Sequence, residues 1–197
     1  MREREGPLGR LVGFGWVSGS GKNTLLEHEV LRRLRAEEHV EGAIPMGGVH
    51  ALLERALRWS PTSTIATLSG VWQEVRAAFA SSEEARIRGI EAGDLVARPG
   101  KGACPTCRGY GLDAHHLPCP ACEGLGLRTD LLDLRLRNRA LRDWLTSPLD
   151  RLEKRLPAKG RLQKTVRHLI ALGLGDRTLG ERGRFLSLGE RGRIALA

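Results

Sequence analysis

Long apolar runs are missing from this chain. No stretch approaches the roughly 20 residues that a membrane span needs. The charged start, Met1-Arg-Glu-Arg-Glu, leads into no signal-peptide core. Together these absences lead us to expect a cytoplasmic protein with no membrane partner. Aromatic residues are scarce at 4%, so Leu and Ala must supply much of any core. Only four cysteines are present, and in a reducing compartment they are better read as metal ligands than as disulfides.

Acidic residues are outnumbered, 23 against 32 Lys and Arg, for a net charge of +9. That excess suits a polyanionic partner such as nucleic acid, although a soluble, Arg-rich protein without such a partner has the same balance. With 197 residues, 41% apolar and 28% charged, the chain should fold rather than stay disordered, as one ordinary domain or two small ones.

Residues 11–17 read as a short apolar strand, 18–21 as a Gly/Ser turn, and 23–37 as a helix with Leu25, Leu26, Val30, Leu31 and Leu34 close to one face. A Gly-rich loop at 41–48 and a weak helix at 50–58 follow. Residues 60–69, rich in Ser, Thr and Pro, read as a loop. Helices are expected at 70–79, after Ser82, at 139–145, at 148–156 with Thr146 or Ser147 as its cap, and at 161–172, which Gly173 and Gly175 end. Leu132, Leu134 and Leu136 alternate with charged residues and predict a strand. A last helix should begin near Gly189.

Residues 98–127 are crowded with Gly, Pro and Cys, so something other than a large core must hold them. They contain the one internal repeat, Cys104-Pro-Thr-Cys-Arg-Gly-Tyr-Gly and Cys119-Pro-Ala-Cys-Glu-Gly-Leu-Gly. Each CxxC puts two sulfurs on one tight turn. Two such turns supply the four soft tetrahedral donors of a structural zinc site. Cys104, Cys107, Cys119 and Cys122 are therefore the expected Zn2+ ligands. Gly109, Gly111, Gly124 and Gly126 permit the sharp backbone path and the approach of amides to the sulfurs. The connection between the knuckles can be a short hairpin, and His115 and His116 on it are expected to be exposed rather than ligating.

Ser18-Gly-Ser-Gly-Lys-Asn-Thr24 follows a strand and opens a helix, the context of a phosphate-binding loop. There the backbone amides of Ser18, Gly19, Ser20 and Gly21 would surround phosphates, and Lys22 would reach the terminal ones. The match to GxxxxGK[ST] is incomplete. Trp16 stands at the first Gly position, and Asn23 replaces the hydroxyl that meets Mg2+, with Thr24 beside it.

These motifs, in order, resemble the UvrA family of the ABC excinuclease, the damage-recognition ATPases of bacterial nucleotide excision repair. Residues 17–26 resemble its Walker A segment, and 66–80 its "ATYTGV" segment with the following helix. Residues 84–89 are similar to its "EA-RG" stretch, and 102–111 to its cysteine knuckle. Leu186-Ser-Leu-Gly-Glu-Arg-Gly-Arg-Ile-Ala-Leu-Ala197 resembles the ABC signature "LSGGEAQRVKLA". Leu188 and Gly192 stand where that signature has Gly and Gln.

The resemblance fits the C-terminal half of the family and implies an α/β fold. It would be a partial ABC-type P-loop nucleotide-binding core with an inserted helical, zinc-knuckle signature region. On that basis residues 1–58 are the P-loop strand-turn-helix part, 59–130 the helical and four-cysteine module, and 131–197 the signature region. Residues 18–24 would hold ATP with Mg2+ in one site, and Ser187, Gly189 and Glu190 would lie against ATP in another. Double-stranded DNA, a second copy or a full-length homologue, and UvrB, the excinuclease component that follows UvrA, are the partners implied, with repair and the SOS response as context.

Ala197 falls where the family's Walker B strand and catalytic Glu would follow, so this chain is not expected to be an ATPase alone. Two other readings compete. One is a zinc-knuckle module that binds unfolded polypeptide, because CxxCxGxG is also the knuckle of DnaJ-type chaperones. The other is an inactive fragment of a broken ATPase gene.

Overall fold

The computed structural model describes residues 24–32, 60–156 and 160–196. The chain divides into two compact units, Met1–Leu52 and Leu53–Ala197. In the first unit, residues 24–32 are helical, and Leu25–Val30 adopts π geometry. This agrees with the helix expected from 23. The strand at 11–17, the turn at 18–21, the loop at 41–48 and the weak helix at 50–58 lie outside the described residues, as do Ser18, Gly19, Ser20, Gly21, Lys22 and Asn23.

The described residues of the second unit are mainly helical. In chain order they form α1 (Ile65–Leu68), α2 (Trp72–Ala80), α3 (Glu83–Ile87), α4 (Thr129–Leu132), β1 (Arg135–Leu136), β2 (Arg139–Ala140), α5 (Leu141–Thr146), α6 (Leu149–Glu153), α7 (Arg161–Ala171) and α8 (Leu188–Leu196). The sheet is a single antiparallel pair in which Arg135 faces Ala140 and Leu136 faces Arg139. Arg137 and Asn138, both at positive φ, make the two-residue turn between its strands.

Side-chain spacing explains the helices that matter for packing. Val71, Val75 and Phe79 fall four apart and are buried, which lays α2 against the core. Phe79 meets Trp144 of α5 edge to face, with ring centroids 5.3 Å apart. On α7, Val166 and Leu169 are buried, while Arg161, Lys164, Arg167 and His168 face solvent. Gly173, at φ 77, ends that helix: its amide returns to Ile170 O, and the amide of Leu174 to Leu169 O. α6 packs on α7, where Glu153 Oε1 accepts from Arg167 Nε at 2.6 Å and Gln163 Nε2 at 3.2 Å.

Three expectations need correction. The strand read across Leu132, Leu134 and Leu136 is mostly absent, because α4 runs to Leu132 and only Arg135–Leu136 is extended. Leu131, Leu132 and Leu134 are all fully buried, and a helix end followed by a turn buries them from one side of the chain. The loop read at 60–69 contains α1. Thr64 and Thr67 cap that helix reciprocally, Thr67 N donating to Thr64 Oγ1 at 3.3 Å and Thr64 N to Thr67 Oγ1 at 2.8 Å. Finally, Thr146 and Ser147 do not cap α6. Their hydroxyls donate back to Arg142 O and Asp143 O at the end of α5, and Pro148 precedes α6 without a side-chain cap.

Replacing Phe79 by Ala removes a fully buried ring and its partner contact with Trp144. The expected loss is about 3–5 kcal/mol of stability, read as a lower urea midpoint. A loss below about 1 kcal/mol would mean that the core collapses around the gap.

Candidate metal centre

Residues 98–127 contain no helix or strand. Two turns of one design take their place. Arg108 and Gly109 in the first turn, and Glu123 and Gly124 in the second, have positive φ, as do Gly111 and Gly126 two residues on. The pattern repeats at the same interval as the sequence. Tyr110 N bonds Cys107 O, and Leu125 N bonds Cys122 O, both at 2.9 Å. The knuckles also exchange hydrogen bonds reciprocally: Cys104 N donates to Gly126 O at 2.9 Å, and Cys119 N to Gly111 O at 3.0 Å. The repeat is thus a pseudo-twofold pair. The linker closes through a bridge between Leu112 and Pro118, and Asp113 Oδ1 accepts from the amides of His115 and Leu117. His115 and His116 are exposed, as expected.

This geometry brings together all four predicted ligands. Cys104, Cys107, Cys119 and Cys122 are buried, and their sulfurs lie within 4.8 Å of one another. Cys107 Sγ and Cys122 Sγ are 3.7 Å apart. Four sulfurs at about 2.3 Å from a tetrahedral centre would be about 3.8 Å apart, so the donor set fits zinc in distance as well as in chemistry. Gly111 N and Gly126 N donate to Cys107 Sγ at 3.1 Å and Cys122 Sγ at 3.2 Å. These are matched N–H···S bonds that favour thiolates. As metal-free thiols, Cys107 and Cys122 are pushed above the usual thiol range by burial, against those amide bonds. At Cys104 burial also raises the pKa, but hydrogen bonds from the Cys107 and Thr106 backbone outweigh it, and the net shift is downward. Metal binding must therefore displace protons that burial otherwise holds.

One residue here was not singled out from the sequence. Arg182, only 3% exposed, reaches between the knuckles. Its Nη2 donates to Gly109 O and Gly124 O, both at 3.2 Å, and its Nε also to Gly124 O at 3.2 Å. Gly109 and Gly124 hold equivalent places in the repeat, so one guanidinium reads both halves. Its Nη1 donates to Thr62 O at 2.7 Å. A Cβ at Gly111 would lie 2.5 Å from Arg182 Nη2, and one at Gly126 2.2 Å from it. The repeat glycines therefore have a second role beside their positive φ, which is to leave room for this side chain.

The stretch resembling the signature lies a few residues further on. Ser187 and Glu190 form a reciprocal cap at the start of α8. Ser187 N and Oγ both donate to Glu190 Oε2 at 2.7 Å, and Glu190 N donates to Ser187 Oγ at 3.3 Å. Glu190 Oε1 also pairs with Arg177 Nη2 at 2.6 Å. The Ser187 hydrogen bonds, together with Arg177 and Arg193, hold the Glu190 carboxyl below the usual range. Gly189 and Leu188 are exposed, and Leu188 is 57% accessible. The structure thus brings Ser187, Gly189 and Glu190 together on one helix turn. Of the phosphate-loop residues it describes Thr24 alone, exposed at the start of its helical run.

A closed four-cysteine knuckle able to hold a metal ion, tied through Arg182 to the segment that leads into a capped helix start, defines this domain. Its sequence is UvrA-like along nearly its whole length. It is 31% identical to UvrABC system protein A of Thermus thermophilus and 29% identical to that of Halalkalibacterium halodurans, over 97% and 98% of this chain. The chain spans 22% of the length of each of these relatives. The crystal structure of UvrA2 from Deinococcus radiodurans superposes with a TM-score of 0.72 at 29% identity, covering 91% of this chain and 24% of that one. No protein-family model matches the chain. Among the described residues, no helix is long and apolar enough to cross a membrane.

The purified chain is expected to carry one zinc per molecule by elemental analysis. Complete chelation should abolish the ordered knuckle and change the circular dichroism. An unchanged spectrum after the zinc has been shown to leave would refute a structural role.

Proposed function

We propose that this chain is the zinc-bearing, signature-containing part of a UvrA-like DNA-repair protein. It would bind duplex DNA and contribute to a composite ATP site. The observation that carries this reading is the buried four-sulfur cluster, joined through Arg182 to the segment that leads into the Ser187–Glu190 turn, in a chain that is UvrA-like nearly from end to end. Zn2+, when bound, supplies a cross-link and no chemistry, because four protein thiolates leave no open coordination position. The remaining work falls to the chain's own groups.

In this proposal residues 1–58 form the P-loop portion of an α/β nucleotide-binding core, 59–130 the helical and zinc module, and 131–197 the signature region. Ser18, Gly19, Ser20, Gly21, Lys22, Asn23 and Thr24 would bind ATP phosphates with Mg2+. Ser187, Gly189 and Glu190 would meet the nucleotide of a partnering site, supplied by a second copy or a full-length homologue. The excinuclease component UvrB as a partner and a cytoplasmic setting complete the reading. The net charge of +9 is of the right sign for DNA phosphates.

Duplex DNA binding should weaken steeply with salt, the logarithm of affinity falling in proportion to the number of phosphates contacted. Binding that is equally negligible at low and high salt would remove DNA from the proposal. Lys22→Ala should weaken ATP binding by at least about tenfold, since the lysine is the principal cation offered to the terminal phosphates. Calorimetry that detects no ATP binding to the unmodified chain would remove the nucleotide.

A further inference from the structure

Arg182 presents an imbalance of charge. A guanidinium stays protonated inside a protein, and this one is buried with no carboxylate partner among the described residues. Its hydrogen bonds end on the neutral carbonyls of Thr62, Gly109 and Gly124. Burial draws its pKa below the usual guanidinium range. Cys107 and Cys122 oppose that shift, while Arg184 adds to it. A buried cation without a counter-charge is strongly unfavourable. The guanidinium sits between the two knuckles, on the carbonyls of Gly109 and Gly124, each two residues past a cysteine of the cluster. Four thiolates around Zn2+ carry a formal charge of −2, and one buried guanidinium reduces it to −1. Each charge makes the other tolerable.

Arg182 is also tied to the chain on both sides of it. Ile65 N donates to Glu181 O at 3.0 Å and Gly183 N to Ser63 O at 2.9 Å, and Thr64 bridges Arg182. These bonds hold the entry to α1 against residues 181–183. Leu186, buried, and the Ser187–Glu190 cap follow directly. Arg191 Nε returns to Leu186 O at 3.1 Å, which fixes the first turn of α8 to the same segment.

We propose that Arg182 is a positioning residue that couples metal occupancy to the order of the Ser187–Glu190 turn, an inference that rests on the zinc reading of the four cysteines. With the metal bound, the guanidinium balances the thiolate charge and pins residues 62–65 and 181–190 onto the knuckles. Without the metal the knuckle carbonyls that hold the guanidinium lose their fixed spacing, and both segments loosen.

The test uses the full chain as wild type, Arg182→Met and Arg182→Lys. Zinc stoichiometry, zinc affinity by chelator competition, and hydrogen–deuterium exchange are measured on each. Arg182→Met should bind zinc about 10–100-fold more weakly, the range for loss of a partner behind metal ligands. In its zinc-loaded form, exchange should rise at 62–65 and 181–190 while 104–127 stays protected. Arg182→Lys keeps the charge and should recover most of the affinity. If the methionine variant does not fold, the lysine variant decides: a loss of threefold or less supports the coupling, and a larger loss overturns it. Wild-type affinity and unchanged exchange in Arg182→Met would overturn the coupling while leaving the zinc reading intact. A wild-type chain that takes up no zinc would instead overturn the zinc reading, and the coupling with it.

Discussion

Four buried sulfurs repel one another as anions and, as protonated thiols, offer one another only weak hydrogen bonds. Everything between residues 98 and 127 is arranged to make their proximity tolerable. The matched amide bonds from Gly111 and Gly126, the reciprocal bonds between Cys104 and Gly126 and between Cys119 and Gly111, and the Arg182 guanidinium all address that constraint. This part of the chain has no helix or strand of its own, and so no ladder of backbone hydrogen bonds to hold it. Polar order around the four cysteines replaces what secondary structure supplies elsewhere in the unit.

The outer contacts continue the same arrangement. Arg142 bridges Glu123 of the second knuckle, at 2.8 Å, to Asp133 beyond α4. Thr129 Oγ1 donates to Ala121 O at 3.0 Å, and Arg128 N to Gly102 O at 2.9 Å. The ion pairs are partly exposed and individually weak. Their value is in direction, because they orient the knuckles against α4 and α5, and α5 in turn meets α2 through Trp144 and Phe79. Metal module and helical core thus share one packed interior, and Cys104, Cys107, Cys119 and Cys122 belong to the same buried cluster as Leu131, Leu145 and Leu179.

Much of this was legible in the sequence, and what was missed follows a pattern. The cysteine cluster is legible because the two CxxC turns repeat the spacing that a tetrahedral ion requires. α2 and α7 were found because apolar residues recur at helical intervals. The amide-to-sulfur role of the glycines was also anticipated. Arg182 was not, because its acceptors are backbone carbonyls, which leave no mark on side-chain identity. α1 was taken for a loop because its position depends on pairing with residues about 120 positions away. The alternation of Leu132, Leu134 and Leu136 satisfies a strand rule, but a helix end followed by a turn buries Leu131, Leu132 and Leu134 with similar spacing. Local chemistry repeated along the chain was readable, and chemistry completed by a distant backbone was not.

The separations along the chain carry one more consequence, which concerns entropy. Bonds within a knuckle span three or four residues, whereas the guanidinium of Arg182 closes loops of 58, 73 and 120 residues to reach Gly124, Gly109 and Thr62. Loop-closure entropy rises with the logarithm of length, and short loops close within about 10–100 ns. The bonds inside each knuckle can therefore close at a lower entropic cost than those of Arg182. The arginine comes from far along the chain and inserts into a cleft shaped by glycine. The segment leading to the Ser187–Glu190 turn is thus held to the knuckles by contacts that cost more loop entropy than those inside them.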